Sequence, residues 1–451
     1  MSFEHGYKRF MVLWVGHFFV LIGSGLSSFG LSFWIFERTG SATPFAMSIL
    51  SSLLPGVIFA PFLGSLADRM HRKNIIIGTT FLDLFVKIIM LILVSTKMLT
   101  VGLIYPIVFA SATFHALQGT TLNACIRSIV PEERLSQAHG LMQFSGSVQS
   151  MLAPIFAGAM YPLIGLSGLI GVNFAAFLLA IAIFFSMAVP QPSVDKSEAS
   201  FFKTALIDLK YSLNYLREKT GLLTLIGSLG VLNFVVSLAM VLLAPLLLTN
   251  YDTQTFAIVE TASGVAMVIG GLVAGLLPNI NKKVRTMFLC TLFASFALSF
   301  TGVSPRWTFI AAGVFAFTLP IPYINSLLQS TVQLKIEHNA LGRIGAIINA
   351  LLKLISPIAV LLAGPLADKI FEPIMLPGGI LGRTVIGELI GTGSGRGIGL
   401  IFMLAGSVLA VLCLVMLNNR TVLTIETRLP NYKVEGSSCG TDNKASLQAS
   451  T

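Results

Sequence analysis

From one end of its 451 residues to the other, the chain repeats one pattern: an apolar stretch of about twenty residues, then a polar interval. Stretches of that length cross the hydrocarbon core of a bilayer as helices. They lack the period-two alternation of a half-buried strand, and in lipid every backbone polar group must be paired internally. The pattern predicts spans at Phe10–Phe36, Pro44–Ala67, Asn74–Ser95, Val101–Cys125, Ala138–Tyr161 and Gly168–Val189. Six more follow at Leu222–Thr249, Thr255–Leu277, Met287–Val303, Trp307–Gln333, Ile344–Leu366 and Gly397–Met416. The expected fold is an all-α polytopic membrane protein with twelve transmembrane helices in two pseudo-repeated six-helix bundles. The bundles occupy 1–189 and 222–417, with a cytoplasmic linker at 190–221, an extracytoplasmic loop at 367–396 and a polar tail at 418–451.

Composition agrees with that class. Hydrophobic residues make up 55% of the chain and charged residues 11%, against about 25% charged in soluble domains. The +10 net charge is not a nucleic-acid footprint, which would gather basic residues on one face with stacking aromatics. Here they are spread loop by loop: twenty-one Lys and Arg fall in the segments on the side of the N-terminus, and six fall on the other side. That bias places both termini in the cytoplasm. Lys8 and Arg9 precede a first span too long for a cleavable leader. Cys125, Cys290, Cys413 and Cys439 form no metal or redox spacing.

In the linker, Phe202, Leu206, Leu209, Leu213 and Leu216 recur at helical intervals beside Lys203, Lys210 and Arg217. This predicts an amphipathic helix, either lying at the inner membrane surface or packed on the bundle as a connector. The two halves look related. Gly64-Ser-Leu-Ala-Asp68 after span 2 answers Gly275-Leu-Leu-Pro-Asn279 after span 8, and Pro154 in span 5 answers Pro357 in span 11. Parallel six-span repeats place a substrate site between the halves.

Gly64-x-Leu-Ala-Asp68-Arg69-x-x-Arg72-Lys73, between spans 2 and 3, resembles motif A of the major facilitator superfamily. Gly64 suits close helix approach, Asp68 can complement a helix N-terminus, and the basic residues hold the loop inside. The resemblance implies a cytoplasmic latch between the halves, with Arg127 as the basic partner of Asp68. Across nearly the whole chain the sequence resembles bacterial drug:proton antiporters of the macrolide-efflux kind. The likeness is carried by Leu122-Asn-Ala, Val130-Pro-Glu-Glu133, Leu341-Gly-Arg343 and Phe371-Glu-Pro-x-Met375-x-x-Gly378-Gly379. Span 4 departs from that group in having no Arg before its inner end, and the antiporter motif of span 5 survives only as Ala153-Pro154-x-x-Ala157-Gly158.

Charges inside a membrane are costly and mark functional candidates. Asp83 lies nine residues into span 3, about 13 Å deep, and shares a helix face with Lys87. A neutral local pair and a coupling site are both open there. Glu260 lies near the outer end of span 8, where it serves either as a proton carrier or as a residue reaching toward the headgroups. Lys353, at mid-depth in span 11, either pairs across helices with Asp83 or Glu260 or faces a cavity. Spans 1, 4, 7 and 10 line the central cavity in the superfamily and offer His17, Thr113, His115, Gln118, Asn233, Asn325 and Gln329. Trp14, Phe18, Phe114, Phe234 and Met240 accompany them, so the expected pocket is mostly apolar and suits a bulky amphipathic compound.

No phosphate-binding Gly-Lys-Ser/Thr loop is present, and the alternating glycines of 391–399 follow no strand, so no enzyme and no cofactor are expected. The reading is a monomeric secondary transporter in a bacterial plasma membrane, surrounded by lipid. It exports lipophilic compounds in exchange for protons and binds no nucleic acid. A lipid flippase on the same fold and a non-transporting scaffold or sensor are the alternatives. On this reading, Asp68→Asn cripples transport while membrane abundance stays near normal. Uptake assays on quantified membranes check it, and full transport by the variant removes the loop from the mechanism.

Overall fold

The computed structural model describes residues 3–59, 66, 70–130, 134–186, 210–211, 214–276, 280, 282–336 and 338–423. Among them the first half of the chain forms α1 (Phe3–Thr39), α2 (Ala42–Ile58), α3 (Arg72–Ser95), α4 (Val101–Ile129) and α5 (Leu135–Phe185). The second half forms α6 (Thr220–Leu248), α7 (Thr253–Leu276), α8 (Lys283–Val303), α9 (Trp307–Thr318), α10 (Ile321–Lys335) and α11 (His338–Pro365). A π-turn at Leu366–Phe371, the short helices α12 (Glu372–Met375) and α13 (Val385–Ile390), then α14 (Arg396–Asn418) and α15 (Arg420–Leu423) complete it. The protein is an all-helical, multi-pass membrane protein. Ten helical stretches of the described residues are long and apolar enough to span a bilayer, and Ala42–Ile58 is a shorter apolar helix.

Three interruptions refine the twelve-span expectation. Expected spans 5 and 6 belong to the continuous run α5, which folds back at Gly165, where φ is +63°. That left-handed conformation costs a glycine little and other residues more. Expected span 10 is divided into α9 and α10 at Leu319–Pro320, because proline has no N–H for the helix ladder. Expected span 2 is described only to Phe59 in continuous chain, and the amphipathic linker helix lies largely outside the described residues.

Lipid gives helices little hydrophobic reason to associate, so close backbone approach carries much of the packing. In α1, Gly16, Gly23 and Gly30 recur every seven residues and meet Phe184, Asn173 and Leu169 on the second arm of α5. A methyl group on Gly23 would stand 2.7 Å from Asn173 Oδ1. One hydrophobic core, with Phe10, Ile76, Ile126 and Phe184, stays within the first half. A larger one joins Phe33, Phe45 and Ile170 to Leu243, Phe256 and Ala363, and so bridges both halves.

The bridging contacts gather at the face opposite the N-terminal end of α1. Phe256 stacks edge-on against Phe33 with ring centroids 5.6 Å apart. A Cβ on Gly158 would lie 2.4 Å from Ala257 Cβ, and one on Gly364 2.6 Å from Thr43 Cα. At the same face Asp368, carried by the π-turn after α11, caps the N-terminus of α2. Its Oδ2 accepts from Ser41 Oγ (2.5 Å), Thr43 N (2.7 Å) and Thr43 Oγ1 (2.6 Å), and its Oδ1 accepts from Ala42 N (3.1 Å). Ser41 itself makes no side-chain cap. A carboxylate from the second half therefore satisfies orphan donors of a first-half helix and complements its dipole.

Loss of such a cap costs about 1–2 kcal/mol, a roughly 5- to 30-fold shift between closed and open populations of this face. Asp368→Ala is expected to widen the distance distribution between spin labels at Met98→Cys and Arg306→Cys. An unchanged distribution would show that the glycine and aromatic contacts hold the face unaided.

Candidate functional site

Two polar regions lie inside the bundle. The first is in the N-terminal half, where α3 and α4 each present a pair of polar residues four apart, hence on one helix face. Asp83 and Lys87 come from α3, Ser111 and His115 from α4. Ser111 Oγ donates to Asp83 Oδ1 at 2.5 Å and receives Lys87 Nζ at 3.0 Å. Lys87 Nζ is 3.8 Å from Asp83 Oδ1, and His115 Nε2 is 3.1 Å from Asp83 Oδ2. That Oδ2 makes no well-aligned hydrogen bond in this arrangement, so His115 is its nearest polar neighbour. Ser24 Oγ of α1 stands 3.2 Å from the same His115 nitrogen.

Asp83 is 2% exposed while the His115 side chain is 30% exposed, so a shielded carboxylate touches an accessible imidazole. Between α1, α2, α3 and α4 lies a cavity of about 130 Å³, bordered by Ser24, Ser28, Ser52, Lys87, Ser111 and His115. Burying an ion pair is costly unless each charge keeps several partners. The serine bridge and the imidazole supply them. The local pairing expected from the Asp83–Lys87 spacing is present, and it is one edge of a wider network.

The second region lies between the halves. A cavity of about 620 Å³ is bordered by Gln143 of α5, Asn233 of α6, Asn325 and Gln329 of α10, and Lys353 and Ser356 of α11. Lys353, Asn325, Gln329 and Gln143 are exposed. Ser237 Oγ donates to Ser356 Oγ at 2.8 Å, fastening α6 to α11 along the wall. Neither Asp83 nor Glu260 pairs with Lys353. Among the described residues no carboxylate lies within ion-pair distance of it.

The remaining sequence candidates scatter. Gln118 is buried and donates to Thr80 Oγ1 at 2.8 Å, and Thr113 bonds back to Phe109 O of its own helix. His17 Nδ1 is buried without a hydrogen-bond partner. Glu260 falls on the α7 stripe of Ala257 and Gly264, which face Gly158 and Met151 of α5. It therefore sits on the seam between the halves. Trp14, Phe234 and Met240 are partly buried against the hydrophobic cores, and Leu328, Leu352 and Pro322 are the apolar residues that border the larger cavity. Of the motif between spans 2 and 3, Arg72 Nη1 donates to Ala124 O at 3.1 Å and Lys73 Nζ to Phe185 O at 2.9 Å. Gly64, Asp68 and Arg69, with the side chain of Arg127, lie outside the described residues.

Gln143, Ser356 and Asp368 were absent from the sequence candidates. A signal for the last was available: Gly364-Pro-Leu-Ala-Asp368 repeats the Gly-x-Leu-Ala-Asp spelling of Gly64-Ser-Leu-Ala-Asp68. The first copy follows span 2 and the second follows span 11.

Comparison with known proteins places this geometry. The sequence profile described as Major Facilitator Superfamily matches residues 13–360. Macrolide efflux protein A of Streptococcus pyogenes is 26% identical over 374 residues, covering 80% of this chain and 90% of that protein. The uncharacterized MFS-type transporter YkuC of Bacillus subtilis is 22% identical over 343 residues, covering 72% of this chain and 77% of that protein. A bacterial homolog of the human lysosomal transporter Spinster, in an inward-facing crystal structure, aligns with a TM-score of 0.68. It is 13% identical and covers 95% of this chain and 98% of its own. A proton-dependent oligopeptide transporter structure aligns at 0.65, also 13% identical, covering 95% and 100%.

The polar network makes a stability prediction. Asp83→Asn leaves Lys87 buried without its counter-charge, a loss of about 3–5 kcal/mol. The melting temperature should fall, and adding Lys87→Met should restore most of it. Equal melting of the wild type and Asp83→Asn would show that the pair contributes no stability.

Proposed function

Since the chain belongs to the Major Facilitator Superfamily, we propose that it is a secondary active exporter of amphipathic small molecules, driven by proton antiport. The carrying observation is the asymmetry between its two faces. The halves meet at one face through Asp368, Phe33, Phe256 and Gly364, while a cavity of about 620 Å³ between them is bordered by residues of α5, α6, α10 and α11. An arrangement closed at one end and hollow between its halves is what alternating access requires.

The likeness to macrolide efflux protein A over most of both chains supports export as the direction of transport and a bulky amphipathic molecule as the cargo. The distribution of basic residues supports an orientation with both termini in the cytoplasm of a bacterial cell and the Asp368 seal on the outer side. In that orientation the protein takes substrate from the inside as a monomer, surrounded by lipid.

Proton coupling is supported by the Asp83–His115 contact beside the smaller cavity, where a shielded carboxylate and an accessible imidazole are within proton-exchange distance at 3.1 Å. Glu260, on the seam that must part when the outer face opens, is a second carrier in this scheme. Inside-out vesicles with an imposed acid interior test it. Substrate should accumulate, the pH gradient should fall as it does, and a protonophore should abolish both. Accumulation that ignores the protonophore and follows a sodium gradient would overturn proton antiport.

A further inference from the structure

We infer that Lys353 makes the cavity between the halves selective for amphipathic compounds that carry an anionic group. The inference rests on the transport reading above and names the substrate class of the same site. It begins with depth. Lys353 is fifteen residues from His338 at one end of α11 and twelve from Pro365 at the other. At about 1.5 Å per residue it is roughly 22 Å and 18 Å from the two ends of its helix.

Its surroundings settle what the ammonium is free to do. The cavity is bordered by three helices of the second half and by α5 of the first, and among the described residues Lys353 is the one charged residue on that border. The polar groups around it are carboxamides and hydroxyls: Gln143, Asn233, Asn325, Gln329 and Ser356. Amides can donate to an anion and accept from a neutral compound, but none cancels a positive charge. The smaller cavity is lined by Lys87 and His115, and among the described residues the carboxylate that touches them is Asp83, which contacts both. Asp83 is thus engaged in the first half, no described carboxylate pairs with Lys353, and its ammonium is left facing the hollow.

A charge kept at mid-membrane is costly, and a neutral side chain of similar length would line the same space. The compensating gain is a charge-assisted contact with a ligand, stronger than a neutral hydrogen bond and short-range enough to discriminate. An anionic group docks against Nζ with the amides completing its shell. A cationic amphiphile meets repulsion with no carboxylate to relieve it. Specificity here includes the rejected class as well as the accepted one. The apolar part of the ligand has Leu328, Leu352 and Pro322 on the same border to lie against.

The test uses one naphthyl-alkyl scaffold ending in a carboxylate, a primary amide or an ammonium, with binding followed by fluorescence on the purified full chain in nanodiscs. Empty nanodiscs correct for partition. The wild type should bind the carboxylate at least ten-fold more tightly than the amide, and the ammonium most weakly. Lys353→Gln should erase the difference between carboxylate and amide, Lys353→Arg should keep it, and Lys353→Glu should reverse the order. Equal binding of all three by the wild type, or a carboxylate preference that survives Lys353→Gln, overturns the inference. If Lys353→Glu lowers the melting temperature, the Gln and Arg variants still decide. The transport reading fails separately: carboxylate binding that depends on Lys353, without gradient-driven movement of that probe in vesicles, would support the site and reject the exporter.

Discussion

Helices in lipid must be held together with almost no help from the hydrophobic effect, since lipid tails are as apolar as the side chains they would exchange for. Contact area then has to come from shape, and small residues are what allow it. The heptad of Gly16, Gly23 and Gly30 lets α1 lie against the second arm of α5 closely enough for Asn173 Nδ2 to donate to Ser27 Oγ at 2.8 Å. With α1 fixed in that way, Ser24 is presented to His115, and the polar network of the first half acquires its third helix. In the second half Gly302 and Gly399 approach each other across α8 and α14, and Gly406 meets Ser299. Arg396 donates into the same junction, to Gly302 O and Val303 O. The positions of the functional side chains follow from this close packing.

The two halves treat charge differently. In the first, opposite charges are brought together and shielded, so the Asp83–Lys87–Ser111–His115 group keeps little net field at a distance. In the second, Lys353 is kept apart from carboxylates and exposed to a hollow. A paired buried ion costs less to hold but does little for a ligand, whereas a solvated one in a low-dielectric funnel projects its field outward. A pseudo-symmetric pair of bundles has in this way acquired two chemically distinct interiors.

Much of the fold was legible because a span is a length and a hydropathy, and both are properties of the sequence alone. The Asp83–Lys87 contact was legible for a similar reason, since four residues along a helix fix a face. What could not be read was anything that depends on which neighbour stands opposite. Gln118 reads as a cavity residue until Thr80 is seen across from it, and Phe234 reads as pocket lining until its packing against the core is seen. Lys353 stood between pairing and a cavity because one sequence does not say which helices converge on it. The break before Pro320 was present in the sequence, but hydropathy stays high across it and masks the division of one span into α9 and α10. Asp368 was hidden in a different way. It follows the last apolar residues of its span, where an acidic residue looks like ordinary loop, and only the cap on α2 gives it meaning.

The recurrence of Gly-x-Leu-Ala-Asp at 64–68 and 364–368 bears on how such a bundle can move. At the second copy the logic is explicit: the glycine admits a helix from the other half, and the aspartate one turn later caps it. The first copy lies mostly outside the described residues, so the structure shows this latch at one face. A latch that must open in turn has to be weak enough for a ligand to offset it, and that is a condition for reversibility. If one closed state were favoured by about 5.5 kcal/mol, a ligand preferring the other ten-thousand-fold would bring the two only to parity. A cap is worth about 1–2 kcal/mol, so the Asp368 cap alone does not lock the protein. The face it closes is held by a sum of small terms, the cap, the Phe33–Phe256 contact and the Gly364 approach, which a bound substrate or proton can offset.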